Sequence, residues 1–125
     1  YYPTDQITDR WERFYVAELI REQIFALYHQ EVPHASAVLI DEFVEAEGRK
    51  DHIAATIYVE TDGQLGIIVG DQGAGVKRLG QLARAEIEAR LDREVHLELR
   101  VKVRKAWRKD GEFLKRLQSN DGQVY

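Results

Sequence analysis

The sequence contains no cysteine, no methionine and only two prolines in 125 residues. Without cysteine there is no disulfide, no thiolate nucleophile and no sulfur-ligated metal, and a reducing compartment suits the chain. Without methionine it lacks the residue that starts a primary translation product, and Tyr1 is a bulky neighbour for initiator removal. The chain therefore reads as a piece of a longer protein, cut near Tyr2-Pro3. No stretch approaches the roughly 20 apolar residues that would cross a bilayer as a helix, and no charged-then-apolar leader opens it. Excess positive charge is missing too, with 18 Lys and Arg against 22 Asp and Glu and a formal net charge of −4. That balance argues against a uniformly basic nucleic-acid binder.

The charges are segregated, however. Acids are frequent in the first half (Glu18, Glu22, Glu31, Asp41, Glu42, Glu45, Glu47), whereas Arg100, Lys102, Arg104, Lys105, Arg108 and Lys109 crowd the end. Such a chain can carry a basic face on an acidic body. Its length suits one domain. Residues 1–7 read as a linker remnant, 8–118 as the domain and 119–125 as a flexible tail.

Periodicity predicts the elements. Asp9 and Glu12 have capping-box spacing. Phe14, Ala17, Ile20, Ile24, Leu27 and Tyr28 then recur at helical intervals until Pro33 stops the helix. Residues 37–47 read as a strand and Gly48-Arg49-Lys50-Asp51 as a turn. The alternation of Ile53, Ala55, Ile57 and Val59 completes a hairpin. Asp62-Gly63 turns the chain, and Gln64 to Val69 is a short apolar run. After Gly70–Gly73, the residues Val76, Leu79, Ala83, Ile87 and Leu91 mark a long helix. Its pairs Arg84/Glu88 and Glu86/Arg90 are four apart, and Gly80 inside it suggests close packing. Val95 to Val103 alternates cleanly, with Arg100, Lys102 and Arg104 on the polar side. Asp110 is placed to cap a short last helix containing Phe113, Leu114 and Leu117.

The segment Ile67-Ile68-Val69-Gly70-Asp71-Gln72-Gly73-Ala74-Gly75-Val76-Lys77-Arg78-Leu79-Gly80 is the informative one. An apolar helical turn, G-x-x-G and a new helix follow without a spacer. Glycines at Gly70 and Gly73 let the chain reverse tightly and admit a foreign backbone. The next helix offers unpaired N–H groups and the positive end of its dipole, which together favour a phosphate. Ile68, Val76 and Leu79 could floor a groove for unstacked bases, with Ala74 at the mouth and Lys77 and Arg78 one turn along. Asp71 and Gln72 occupy the tip, and Gly75 loosens the first helical turn.

Other chemistries find no support. Gly70 and Gly75 have P-loop separation, but Val76 stands at the lysine position and no Ser or Thr follows Lys77. Arg78 replaces the third glycine of a dinucleotide fingerprint. His29, His34, His52 and His96 have no metal-ligand spacing. Asp41 and Glu42, adjacent in a strand, project to opposite faces, which removes them as a carboxylate dyad. No Ser–His nucleophile pair is visible. No catalytic residue, metal or cofactor is expected in this chain. Trp107 reads as a packed aromatic before a base-stacking one, and Trp11, Phe14 and Tyr15 as core or domain interface.

The glycine turn with its flanking isoleucines and Lys77-Arg78 resembles the signature of KH domains, and the α-β-β-α-α-β order resembles their type II form. Tyr2-Pro3, Asp5-Gln6-Ile7-Thr8-Asp9-Arg10, Ala17-Glu18-Leu19-Ile20-Arg21-Glu22, Gly66-Ile67-Ile68-Val69-Gly70, Leu97-Glu98-Leu99-Arg100-Val101-Lys102-Val103 and Trp107-Arg108 are similar to the C-terminal region of the bacterial Era GTPase family. This resemblance runs from Tyr2 to about Leu117. It implies an α+β type II KH fold, a three-stranded sheet packed by helices with a short C-terminal helix. It also implies a missing N-terminal GTPase domain, to which GTP and Mg belong. The implied function is binding of single-stranded RNA at the 3′ end of small-subunit ribosomal RNA during ribosome biogenesis. The implied place is the cytoplasm, with peripheral inner-membrane association of the parent protein. The implied contacts are Ile68, Gly70, Asp71, Gln72, Gly73, Ala74, Val76, Lys77, Arg78 and Leu79, with Arg100, Lys102 and Arg104 in addition. The family usually has a basic residue in the middle of the turn, where this chain has Asp71-Gln72. The alternative is a KH-fold protein-interaction domain that docks on the GTPase domain or a ribosomal protein and binds RNA weakly.

Overall fold

The computed structural model describes the backbone of residues 4–29 and 31–119, with side chains from 10 to 29 and from 31 to 118. The elements are α1 (Thr4–Leu27), α2 (Glu31–Ala35), β1 (Ala37–Val44), β2 (Asp51–Val59), α3 (Asp62–Val69), α4 (Ala74–Leu91), β3 (Val95–Val103) and α5 (Gly111–Ser119). Single 3-10 turns span Asp71–Gly73 and Trp107–Lys109.

Both bounds of α1 correct the sequence expectations. Helix α1 begins at Thr4, inside the stretch read as a linker and ahead of the cap expected at Asp9. It ends at Leu27 without help from Pro33, although the Tyr28 N–H still reaches Ile24 O at 3.0 Å. Pro33 lies in the short α2, at a first-turn position where no intrahelical N–H is lost. The tail expected at 119–125 lies, from residue 120 on, outside the described residues.

The sheet order is β1-β2-β3, with β1 antiparallel and β3 parallel to β2. A parallel neighbour requires a crossover, and α3 with α4 supplies it. A bulge after Ile40 corrects the reading of Asp41. Its carboxylate accepts from Thr56 Oγ1 at 2.5 Å, while Glu42 opposes Ala54, so both acids turn to the face that Thr56 and Ala54 share.

One face of the sheet is covered by α1, α3 and α4. Val16, Leu19, Ile20, Ile24, Ile40, Ile53, Ile57, Ile68, Leu79 and Ile87 meet there, all 0 or 1 % exposed. Burying each such side chain stabilises the fold by roughly 1.5–3 kcal/mol. Phe14, expected in this stripe, is instead exposed, and Val16, Ala17 and Leu19 fill the place. On the opposite face, at the end of the sheet, Trp107 and Phe113 pack on Ala37 and Tyr58. Trp107 Nε1 donates to Ala35 O at 2.9 Å, which supports the packed reading of that indole. Asp110 caps α5 as expected, accepting from Phe113 N–H at 3.2 Å. Among the described residues, no helix is long and apolar enough to cross a membrane.

Candidate nucleic-acid interface

The run Gln64–Val69 belongs to a full helix whose start the sequence reading passed over. Thr61 Oγ1 accepts from Gln64 N–H at 3.1 Å, and Gln64 Oε1 accepts from Thr61 N–H at 3.1 Å and Glu60 N–H at 2.9 Å. This capping box pins α3 to the end of β2 and sets where α3 delivers the chain. The helix closes with Gly70 N–H on Gly66 O at 2.9 Å.

Gly70 then takes φ 74° and ψ −178°, a conformation essentially confined to glycine. A Cβ there would also lie 2.7 Å from Gly75 N. Gln72 is left-handed at φ 53°, and Gly73 at φ 82° starts α4. A Cβ at Gly73 would meet nothing within 4 Å, so conformation alone calls for glycine there. Gly75 has the opposite reason. Its Cβ would sit 2.5 Å from Ile68 O and 3.0 Å from Val69 O. The sequence reading treated Gly75 as loosening the helix, whereas the structure makes it the contact at which α3 and α4 touch backbone to backbone.

The start of α4 therefore has no capping side chain, since its N-cap is Gly73. Ala74 N–H bonds Asp71 O within the 3-10 turn. Asp71, Gln72 and Ala74 around this start are exposed, and among the described residues the Asp71 carboxylate has no hydrogen-bond partner. The helix dipole favours an anion here by about 0.3–1 kcal/mol at an exposed site. The Asp71 charge opposes a phosphate by about 1 kcal/mol at 4 Å in water, and salt screens it further. The two effects are of equal size, so neighbouring cations decide the balance.

Those cations lie on α4. Lys77 and Arg78 are exposed, and Arg84 is exposed with a 3.5 Å pair to Glu88. Val76, Lys77, Gly80, Gln81 and Arg84 form one wall of an open groove, and His96, Leu97 and Leu99 of β3 form the other. A Cβ at Gly80 would meet only Leu99 Cδ1, at 3.8 Å, an ordinary contact, so the close packing expected at this glycine is absent. The outer edge of β3 carries no further strand among the described residues.

The expected residues divide accordingly. Gly70, Asp71, Gln72, Gly73, Ala74, Val76 and Lys77 come together at the turn and the groove mouth, and Arg78 is exposed beside them. Ile68 and Leu79 do not floor the groove: both are 0 % exposed and belong to the main core beneath the turn. Arg100 and Lys102 are exposed on the sheet face away from the helices, in register with Thr56 and Tyr58, and Arg100 pairs with Glu98 at 3.5 Å. Arg104 is committed elsewhere, 2.7 Å from Asp110 and 4.5 Å above the Phe113 ring. Its hydrogen bond holds the Asp110 carboxyl below the usual range. The reading missed Gln81, Arg84 and His96. Periodicity placed Gln81 and Arg84 on a solvated face and His96 on the polar side of β3, but only tertiary packing aligns them across one groove.

No group of three or more His, Asp or Glu side chains that could hold a metal ion converges among the described residues. His52 and His96 stack instead, with ring centroids 5.3 Å apart. Trp11 and Phe14 are 59 and 52 % exposed, which removes the core reading for both.

A family profile described as KH domain matches residues 31–108. The chain is 55 % identical over 117 residues to GTPase Era of Lactobacillus helveticus, covering 94 % of this chain and 39 % of that protein. It is 52 % identical over 118 residues to GTPase Era of Geobacter metallireducens, covering 94 % and 40 %. It thus spans about two fifths of the length of these relatives. Among solved structures it superposes on Aquifex aeolicus Era bound to GDP.AlF4− with a TM-score of 0.80 and 35 % identity, over 86 % of this chain and 36 % of that one. The same values hold for Era in complex with MgGDPNP and nucleotides 1506-1542 of 16S ribosomal RNA. With the crossover order of the sheet, the glycine turn on α4 and these matches together, the chain belongs to the KH domain family, in the form that Era GTPases carry.

Proposed function

We propose that this chain binds single-stranded RNA, with one phosphate at the bare start of α4 and the neighbouring bases in the groove between α4 and β3. The observation that carries the reading is the pairing of an uncapped, exposed glycine turn with a groove that opens beside it. Amides at the helix start hold the phosphate, and Lys77 and Arg78 add charge. Val76, Leu97 and Leu99 receive base faces, while Gln81 and Arg84 offer polar edges. The mechanism is recognition, with no reaction step and no cofactor in this chain. One of the solved relatives is complexed with a 16S ribosomal RNA segment, which supports the 3′ end of small-subunit ribosomal RNA as the target, in ribosome assembly.

In the parent protein a GTPase domain, with GTP and Mg, lies outside this chain, and the unit from α1 through α5 binds the RNA. The parent acts in the cytoplasm on the small ribosomal subunit and associates peripherally with the inner membrane. Docking on the GTPase domain or a ribosomal protein is favoured for a separate face, the exposed Trp11 and Phe14 of α1.

The test is titration with ribosomal 3′-end RNA against a scrambled single strand and a duplex. Preference for the ribosomal strand, with a log-log salt slope of roughly −2 for three phosphates, is the expected result. Gly70→Asp with Gly73→Asp removes the binding. Equal binding of all three RNAs, or an unchanged affinity in the double variant, contradicts the reading.

A further inference from the structure

Helix α1 lies along α4 and is tied down at both ends, to the end of α4 near its start and to α3 just past its own end. Near its start, Glu12 is 3.2 Å from Arg93, just past the end of α4, and Arg90 donates to the Tyr15 hydroxyl at 3.3 Å. At the other end, Tyr28 follows directly on α1 and donates its hydroxyl to Ile68 O at 2.9 Å, forty residues away in sequence. Ile68 is the last residue but one of α3, so its carbonyl is among those that a helix end leaves without an amide partner. The same oxygen is the one that a Cβ at Gly75 would strike. Three features thus converge on one atom: the end of α1, the end of α3 and the first turn of α4.

Tyr28 suits this place chemically. It is half-buried, and burial raises its hydroxyl above the ordinary tyrosine value while the charge of Arg78 pulls it partly back. The hydroxyl stays protonated at neutral pH and remains a donor. Arg78, one of the cations beside the turn, is therefore near it as well.

We propose that Tyr28 is a positioning residue for the RNA-binding turn: its hydroxyl fixes the Ile68 carbonyl and with it the angle at which α3 hands the chain to Gly70–Gly73. Helix α1 becomes a strut, and this bond ties its end directly to the carbonyl that precedes the turn. The role rests on the RNA-binding reading above.

Tyr28→Phe removes the hydroxyl and keeps the ring. Two measurements on the whole chain decide the matter: amide hydrogen exchange of residues 69–75 compared with β2, both without RNA, and affinity for a short ribosomal 3′-end RNA. Selectively faster exchange in 69–75 and a three- to tenfold weaker affinity, about the net effect of one hydrogen bond, are expected. If exchange at the turn rises no more than in β2, the hydroxyl is merely structural and the proposal is overturned. It is overturned equally if exchange rises selectively but affinity stays within twofold. If the wild-type chain binds no RNA, the RNA-binding reading fails on its own, and the exchange comparison still decides whether Tyr28 holds the turn.

Discussion

At its start, α4 rests on Gly73, with Gly75 against the carbonyls of α3, no capping side chain and exposed Asp71 and Gln72 around it. At its end, the left-handed residue is Asp92, not glycine, and charged side chains surround it. Asp92 N–H bonds Glu88 O at 2.9 Å, the Glu88 carboxylate accepts from Val95 N–H at 2.9 Å, and Arg93 lies 2.9 Å from Asp51 and 3.2 Å from Glu12. One helix thus has a start held open by main chain and an end sealed by ion pairs. On the proposed function the difference separates two tasks of the domain: the sealed end serves stability, and the open start is the place for a phosphate.

Substitutions at the two ends should therefore fail in different ways. The largest stability effect belongs to the sealed end. Arg93→Leu leaves the Asp51 carboxylate, only 6 % exposed, without its cation. Because Arg93 is itself a third exposed, the cost is about 2–3 kcal/mol, below that of a fully buried pair. For a domain of this size that lowers Tm by roughly 6–12 °C. RNA affinity measured below the transition should stay within twofold, and a tenfold loss would erase the division between the ends.

Gly75→Ala comes next. The methyl group must push apart two backbones, which costs about 1–3 kcal/mol as an overpacked contact, and RNA affinity falls with it because the turn is displaced. Thermal melts and RNA titration measure the two effects, and preserved affinity would detach the turn from the α3–α4 contact. Gly73→Ala has free space and meets only the left-handed conformation, at a cost of about 1–2 kcal/mol. A loss as large as that of Gly75→Ala would mean that space, not conformation, constrains Gly73. Asp71→Lys has the smallest effect on folding, within about 0.5 kcal/mol for an exposed site. It should tighten RNA binding several-fold at low salt, and the gain should vanish as salt rises. Weaker binding at low salt would show that the carboxylate takes part in recognition.

Much of this was legible in the chain. The alternation of Val95 to Val103 and the stripe of Leu79, Ala83 and Ile87 are strong signals, because burial of one face forces periods of 2 and 3.6. The glycine turn was legible because left-handed backbone and close approach leave few other residues. What escaped depended on contacts between distant segments. The depth of Ile68 and Leu79 follows from how α3 and α4 settle on the sheet, which local pattern does not encode. The aromatic spacing of Phe14 imitated a core stripe that Val16, Ala17 and Leu19 fill. The capping box of Thr61 and Gln64 was present as a local motif and was masked by the apolar run behind it. Arg104 looked like the third cation of a basic strand, but Asp110 and Phe113, brought over by α5, claim it.

The most direct test is an amide chemical-shift map of the whole chain as a short ribosomal 3′-end RNA is added. The account predicts that the largest shifts fall on Asp71 to Lys77, with a second group on Leu97 to Leu99 across the groove. Shifts confined to the α1 face around Trp11 and Phe14, or to α5, with the start of α4 unmoved, would contradict it.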